Sequence, residues 1–493
     1  MSRLIRLVPA VMVVVAALLA APATAGHEPA ESADMDLMHH SSNGTGAVNS
    51  DLAFWGNRAY AGNYNGFRIF DISNPASPAL IKDVQCFGPQ NDPVVWENKL
   101  LFLAIDRTLA GPECGSPAVA HNDPSGWEGV RIFDVSDPTN PKHIKSVYTD
   151  CGAHTITMWP KNPGQLLLYV SSYPLRPGPT CGEVNGPAAG RDPLHGVIQV
   201  IKVPLNNPKA AKEIAEPKLV YPGDPDNRIV WSEHGQPPPP VLEFAARACH
   251  DISVMPALNL AAAACAEQGQ VWRINANGIP DTEHPIWVTD DEVDETGITG
   301  DPNDTGVVVD FYHSATFSND GSVVNFIDES FGSGCPPVTT GGHHPGDTGR
   351  MFFHDASDGT LLSVFMADRT ETDYCSAHMG SPVATPDRDL LVNAWYMGGV
   401  NVVDFTDPTN PFEVTYYDTL PHGPSGSDNW SAYWYEGPSL PGDTLTIYAS
   451  DGVHDPGPVA ASGRGFNVFS ADVAVDEASL GRLNPQTQEY FTG

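Results

Sequence analysis

One short stretch of sequence recurs along the chain with the same spacing between its first glycine and its last proline. The copies read GFRIFDISNPASP at 66–78, GVRIFDVSDPTNP at 129–141 and GVNVVDFTDPTNP at 399–411. Each begins with a run of β-branched and aromatic residues, which favours a strand in a packed sheet. The Asn-Pro or Asp-Pro pair predicts a turn, because the proline ring disfavours helix in the residue before it. A second apolar run follows, so each unit is predicted to be a hairpin.

Weaker copies of this pattern divide residues 50–473 into units that follow one another along the chain. Repeated units that cannot bury their apolar faces alone stack on their neighbours, as in propellers and solenoids. The sequence therefore predicts an all-β fold, a seven-bladed β-propeller of four-stranded antiparallel blades. Rings of six or eight blades, or two β-domains divided near 221–247, are the alternatives.

The two chain ends are predicted to close the ring. Residues 35–40 have the character of an outer strand for the last blade, and such pairing removes exposed sheet edges. Residues 26–49 are therefore expected to form an N-terminal arm that includes a closing strand, and residues 474–493 a C-terminal tail. The alternatives for the arm are a flexible segment, or a copper-binding one with the thioethers and imidazoles of Met35, Met38, His39 and His40 as ligands.

The first 25 residues have the features of a secretion signal. Arg3 and Arg6 give a basic start, residues 8–19 an apolar centre and residues 23–25 a small-residue cleavage site. The rest of the chain has no apolar run long enough to span a bilayer. We therefore expect a secreted, extracellular protein with no membrane span in the mature chain.

The charge of the chain restricts its partners. It carries 60 acidic and 25 basic residues, and its formal net charge is −35. Repulsion from phosphate groups makes nucleic acid an unsuitable ligand. The expected partner is an extracellular ligand or protein, which the sequence does not identify.

Eight cysteines in an exported chain predict up to four disulfides. Half of them stand where the first strand of a unit begins, and the others stand in or near the loop between its second and third strands. Both places lie at one face of a propeller. The predicted pairings are Cys86–Cys114, Cys151–Cys181, Cys249–Cys265 and Cys335–Cys375.

Several longer strings resemble the LVIVD-repeat proteins, a family of secreted and surface β-propellers. They include DLAFWGNRAYAGNYNGFRIFDISNPASP at 51–78, HSATFSNDG at 313–321 and WYMGGVNVVDFTDPTNP at 395–411. WSAYWYEG at 430–437 and LNPQTQ at 483–488 are similar to segments of the secreted actinobacterial members. The resemblance implies a propeller fold and export, and it implies no particular activity.

Four histidines occupy equivalent places, just before or at the first strand of successive units. They are His154, His250, His313 and His378. First strands line the channel of a propeller, so the imidazoles of these residues are expected to converge on its axis. Neutral imidazole suits iron, copper or zinc. Asp251, Asp328 and Glu329 are the carboxylates expected to orient the rings. The alternative is structural, with each imidazole bonded to the backbone of a neighbouring blade.

A second candidate site is the acidic stretch TDDEVDETGITGDPNDTG at 289–306. Clustered carboxylates between glycine turns suit Ca²⁺, and the candidate ligands are Asp290, Asp291, Glu292, Asp294 and Glu295. A solvated acidic loop is the alternative.

The sequence thus supports two functions from different classes. The first is an extracellular binding or scaffold module. The second is a metal-dependent enzyme, an oxidase or oxygenase, with the four histidines on the propeller axis as ligands.

Overall fold

The computed structural model describes residues 34–42, 47–120, 123, 125–149, 152–171, 197–220, 249–265, 268–289, 309, 311–329, 349–367, 375–385, 387–418, 429–435, 437–440, 444–452 and 465–474. These residues form seven four-stranded antiparallel sheets. The only helical element in this part of the chain is a short 3₁₀ turn at Pro208–Ala210.

The strands of the first half follow the chain in order. β1 (Met35–Ser42) belongs to the last sheet. Blade 1 contains β2 (Asn49–Trp55), β3 (Arg58–Asn63), β4 (Gly66–Asp71) and β5 (Ala79–Gln85). Blade 2 contains β6 (Gln90–Trp96), β7 (Leu100–Leu109), β8 (Trp127–Asp134) and β9 (Lys142–Tyr148). Blade 3 contains β10 (Thr155–Asn162), β11 (Gln165–Ser171), β12 (Gln199–Pro204) and β13 (Lys212–Ala215).

The second half repeats this arrangement. Blade 4 contains β14 (Asp251–Met255), β15 (Leu260–Cys265), β16 (Gln268–Arg273) and β17 (Trp287–Val288). Blade 5 contains β18 (Tyr312–Phe317), β19 (Val323–Asp328), β20 (Met351–Asp355) and β21 (Leu361–Phe365). Blade 6 contains β22 (Gly380–Val383), β23 (Leu390–Ala394), β24 (Val400–Asp404) and β25 (Phe412–Tyr417). Blade 7 contains β26 (Asn429–Trp434), β27 (Leu445–Asp451) and β28 (Gly465–Ala471), and β1 completes it.

The seven first strands form a closed ring. Contacts join β2 to β6, β6 to β10, β10 to β14, β14 to β18, β18 to β22, β22 to β26, and β26 back to β2. The predicted seven-bladed propeller is therefore confirmed. The predicted closure is confirmed as well, because β1 pairs antiparallel with β28 from Met35 opposite Ala471 to Ser42 opposite Gly465.

Apolar side chains fill the spaces between blades. Each of seven buried clusters draws on two neighbouring blades, so the core is a ring of interfaces. Between blades 7 and 1, for example, Phe70 stacks on Phe466 with ring centroids 4.8 Å apart. Such burial is the main favourable term in folding, at about 25 cal/mol per Å² of apolar surface.

The repeated motif closes the hairpin between the third and fourth strands. The carboxylates of Asp71, Asp134 and Asp404 each accept a hydrogen bond from the backbone N–H two residues later, at 2.9–3.0 Å. This Asx turn follows from the Asp-x-Ser/Thr spacing.

The glycine that begins each copy allows the third and fourth strands to approach closely. Gly66, Gly129 and Gly399 have φ angles of +152°, +142° and +80°. A Cβ atom at these positions would lie 1.8–2.2 Å from a backbone carbonyl oxygen of the fourth strand. Only glycine allows the third strand to approach so closely.

Two predicted disulfides are confirmed, Cys86–Cys114 and Cys249–Cys265. Cys375 is also disulfide-bonded. Cys151, Cys181 and Cys335 lie outside the described residues, and so do residues 1–33 and 475–493. The described part of the chain contains no helix long and apolar enough to cross a membrane.

We expect the substitution Gly129→Ala to destabilise the protein by about 3 kcal/mol or more, because it combines an unfavourable φ angle with a backbone clash. Denaturant unfolding followed by circular dichroism measures the loss. Gly164→Ala is the matched control, since a Cβ atom there would make only an ordinary contact 3.6 Å from Asn162. Equal stability of the two variants would contradict this account of the repeat.

Candidate metal centre

The four predicted histidines lie at the start of four successive first strands. His154, His250 and His378 stand just before β10, β14 and β22, and His313 is in β18. Their exposed fractions are 1%, 2%, 0% and 1% respectively. All four are therefore buried where the first strands surround the axis.

Backbone hydrogen bonds fix the positions of these histidines within their blades. The N–H groups of His154, His250 and His378 donate to carbonyl oxygens of the second strand at 2.7, 2.7 and 2.9 Å. His313 stands at an irregularity in the pairing of β18 with β19, between Tyr312 and Ser314. Such a bulge redirects a side chain relative to the regular alternation of a strand.

Hydroxyl groups also link the histidine backbones across blade boundaries. Thr155 of blade 3 donates to the carbonyl oxygen of His250 in blade 4 at 2.6 Å. Ser314 of blade 5 donates to the carbonyl oxygen of His378 in blade 6 at 2.8 Å. These bonds join successive ligand-bearing segments directly.

The four imidazole rings form a continuous row. The ring centroids are 4.2 Å apart between His154 and His250, 3.7 Å between His250 and His313, and 4.1 Å between His313 and His378. Beyond the row, Tyr396 and Trp430 each pack against His378 with centroids 4.5 Å away. The predicted convergence of the rings is thus present in the structure.

Hydrogen bonds orient the two end rings of the row. Nδ1 of His378 lies 2.5 Å from the carbonyl oxygen of Trp430, which can only accept, so Nδ1 carries the proton. Nδ1 of His154 lies 3.2 Å from Oδ2 of Asp106 and donates to this carboxylate. With the proton on Nδ1, Nε2 of each ring presents a lone pair, as in metal-binding histidines.

Carboxylates complete two potential ligand sets. One contains His250, Asp251 and His313, and the other contains His313, Glu329 and His378. Within each set the ligand atoms lie within 4.8 Å of one another. Glu329 places its two oxygens 3.9 Å from Nε2 of His313 and 4.0 Å from Nε2 of His378. His154 belongs to neither set among the described residues.

Burial favours the neutral imidazole at His154 and His313. It lowers the pKa of His154 to about 4, with the neighbouring His250 as the second cause. Burial also holds the pKa of His313 well below its ordinary value, and His250 and His378 add to this effect. Neutral imidazole is the form that binds a metal ion, so these two rings need lose no proton at neutral pH to offer a first lone pair.

The candidate carboxylates take different places. Asp251 and Glu329 lie beside the rings, with carboxylate oxygens 3.7–4.0 Å from imidazole nitrogens. Asp328 accepts backbone N–H groups of Phe311 and Gly349, both at 2.9 Å. These bonds position the backbone around β18. The five proposed calcium ligands, Asp290, Asp291, Glu292, Asp294 and Glu295, lie outside the described residues.

Sequence reasoning missed Asp106, Tyr396 and Trp430. Tyr396 donates a short hydrogen bond to Glu329 Oε1. Asp106 ends the apolar run LLFLAID of β7. A carboxylate at the end of an apolar run was the sequence signal that could have identified it. The other two act through contacts between blades, which the sequence does not indicate.

A cavity of about 350 Å³ adjoins the row on the side of blade 2. Asp106 is part of its wall and also the hydrogen-bond partner of His154. The remaining lining residues are Arg107, Thr108, Ala118, Val119, Ala120 and Glu128. This volume is in the range of small-molecule sites.

Asp51 of blade 1 is a further buried carboxylate of the axial region. Its Oδ1 accepts hydrogen bonds from Tyr433 at 2.6 Å and from the Leu52 backbone at 2.7 Å. Burial nevertheless raises its pKa to about 7, and the charge of Asp251 acts in the same direction.

We expect Asp51 to make the stability of the metal-free protein fall as pH rises towards and through 7. The folded pKa is above the ordinary value of 3.8, so the contribution is fully present below pH 3.8 and is lost through pH 7. Unfolding in the presence of a chelator, compared between pH 5 and 8, should show a smaller fall for Asp51→Asn. Asp71→Asn is the control, because hydrogen bonds from Ser73 lower the pKa of that exposed carboxyl and keep it ionised over this range. Parallel curves for wild type and Asp51→Asn would refute the assignment.

Comparison with solved structures found only distant likenesses among those reported below. A candidate 6-phosphogluconolactonase from Bacteroides uniformis has a TM-score of 0.43 at 12% identity, over 84% of this chain and 93% of that one. A second candidate 6-phosphogluconolactonase, from Bacteroides fragilis, has a TM-score of 0.44 at 12% identity, over 92% of this chain and 100% of that one. The RRP9 WD40 repeats have a TM-score of 0.46 at 9% identity, over 90% and 100%. Likenesses this distant say nothing about activity.

The sequence comparisons are more specific about the repeat. No curated protein matches this chain. The family model described as LVIVD repeat matches residues 48–85, which include all of blade 1, and residues 125–149, which include β8 and β9. The chain is therefore a seven-bladed β-propeller that carries LVIVD repeats.

Proposed function

We propose that this protein is a secreted metalloprotein with a transition-metal centre on the propeller axis. The observation that carries the proposal is the set formed by His313, Glu329 and His378, whose ligand atoms lie within 4.8 Å of one another. All three side chains are buried or nearly so, and the histidines come from neighbouring blades. The secretion signal and the disulfides support the extracellular location.

The chemistry of this set favours iron, copper or zinc over calcium or magnesium, which prefer oxygen ligands. The carbonyl oxygen of Trp430 holds the His378 ring so that Nε2 is directed to the side of Glu329. Tyr396 donates to one oxygen of Glu329, which favours the ionised carboxylate. His378 and Glu329 are thus each positioned by a second group, as metal ligands usually are.

Two histidines and one carboxylate leave coordination positions open on an octahedral ion. Non-haem iron oxygenases use this ligand combination because dioxygen and substrate can occupy the open positions. An oxidase or oxygenase reaction is therefore the activity that we propose for the centre.

A binding or scaffold module is the second candidate. Two imidazole hydrogen bonds cross blade boundaries and favour it, from His154 to Asp106 in blade 2 and from His378 to the Trp430 carbonyl in blade 7. In this case the rings only hold neighbouring blades together, and an extracellular ligand or protein binds elsewhere on the propeller.

Metal analysis of the purified protein separates the two candidates. We expect the wild type to contain iron, copper or zinc, and His313→Ala to lose affinity by about 100-fold or more, because it removes a ligand directly. Inductively coupled plasma mass spectrometry after desalting measures the content.

The matched control is His354→Ala, which removes a buried imidazole distant from the row. His354 is 4% exposed, packs against Trp287 and donates to the carbonyl oxygen of Gly359. We expect this variant to keep its metal although it loses stability. A wild-type protein that binds none of the three metals on reconstitution would refute the metal centre and favour the scaffold.

A further inference from the structure

The potential ligands on the axis form two sets that share one residue. His250 and Asp251 lie with His313 in the first set, and Glu329 and His378 lie with His313 in the second. Among the described residues, no set contains both Asp251 and Glu329. The two carboxylates therefore serve different parts of the row.

A single ion would have difficulty using both sets. Ligand atoms bound to one ion at about 2.1 Å lie at most about 4.2 Å apart. If all five residues bound one ion, their ligand atoms would all lie within 4.8 Å of one another. His250, Asp251, His313, Glu329 and His378 do not form such a set. A single ion would thus leave either the buried Asp251 or the partly buried Glu329 without a cation, which is costly in a site of low dielectric.

Asp251 carries the clearest indication of a missing cation. It is 2% exposed, and neither of its carboxylate oxygens has a hydrogen-bond partner among the described residues. The closest ion-pair contact is Nδ1 of His250, 3.7 Å from Oδ1, which is beyond hydrogen-bonding distance. A cation between Asp251 and the adjacent imidazoles would satisfy the carboxylate.

His313 has the nitrogen atoms that both sets require. Its Nε2 lies on the side of Glu329, at 3.9 Å from Oε2. Its Nδ1 is buried and has no hydrogen-bond partner in the described part of the chain. The lone-pair directions of the two nitrogens diverge, so one ring can bind an ion at each nitrogen.

We propose that the axis binds two divalent transition-metal ions, joined through the imidazole of His313. One ion is bound by His250, Asp251 and Nδ1 of His313, and the other by Nε2 of His313, Glu329 and His378. His154, which Asp106 orients and which packs against His250, is the further ligand available to the first ion. This inference rests on the proposed metal centre and adds a second ion to it.

The charges and protons of this arrangement balance. Neutral His313 has one N–H group, and its proton leaves to solvent when the second ion binds, so that the ring becomes a bridging imidazolate. The two ions then contribute four positive charges, and Asp251, Glu329 and the imidazolate contribute three negative ones. Near-neutrality is what a buried site requires.

Copper stoichiometry tests the second ion. Cu²⁺ is the appropriate probe because it has the highest affinity of the divalent first-row metals for such ligands. The full chain is stripped with a chelator, reconstituted with Cu²⁺, desalted and assayed for copper by mass spectrometry. We expect about two tightly bound ions per chain, and about one in each of Asp251→Asn and Glu329→Gln.

Electron paramagnetic resonance tests whether the imidazolate of His313 bridges the two ions. Two Cu²⁺ ions on one imidazolate couple their spins, so the electron paramagnetic resonance signal per copper should be weaker in the wild type than in Asp251→Asn. The variant His39→Ala/His40→Ala controls for copper on the N-terminal strand and should keep two axial ions, as should His354→Ala. Circular dichroism verifies that each variant is folded.

The possible results have separate meanings. One tightly bound copper in the wild type would overturn the second ion and leave the proposed metal centre intact. Two coppers with an uncoupled signal would overturn the His313 bridge. No bound copper, iron or zinc would overturn the metal centre itself.

Discussion

The pairing of β1 with β28 is the interaction on which the rest of the structure depends. It connects the beginning of the described chain to its last blade and places Met35 in the core between blades 6 and 7. Without it, blade 7 would be a three-stranded sheet with an exposed edge, and such edges pair with other chains. Because every cluster of the core lies between two blades, the closed ring also determines how closely the first strands approach one another at the axis.

The fold was predictable because its information is local and repeated. The Gly and the Asp-x-Ser/Thr turn of each copy have a direct structural cause, in the close approach of two strands and in the Asx turn. Blade 4 has none of these signals in full, and its last strand is only Trp287–Val288. Its place could still be counted from its neighbours, since a ring of equivalent units leaves one position between blades 3 and 5.

The axial residues were predictable only in part. Four histidines at the starts of equivalent first strands indicated that their rings converge on the axis, because first strands line the channel of any propeller. The sequence did not indicate that the rings form a row with two ligand sets, since this depends on side-chain rotamers and on the bulge at His313. Asp106 of blade 2 reaches His154 across an interface, and Tyr396 of blade 6 reaches Glu329 of blade 5. Such contacts depend on how neighbouring blades are rotated relative to one another, which no local sequence pattern predicts. Metal binding itself stays a prediction.

The hydrogen bonds that the hydroxyls of Thr155 and Ser314 donate across blade boundaries restrict how the axial region can change during evolution. Each ties the main chain of one histidine segment to the blade before it, so the ligands are spaced by the ring as a whole. Blades can diverge at their outer strands, where Leu80 and Phe412 are exposed, without altering this spacing. Gain or loss of a whole blade would change the curvature at every interface and separate the four histidines. A change in blade number would therefore disrupt the histidine row, whereas a change at the outer strands would not.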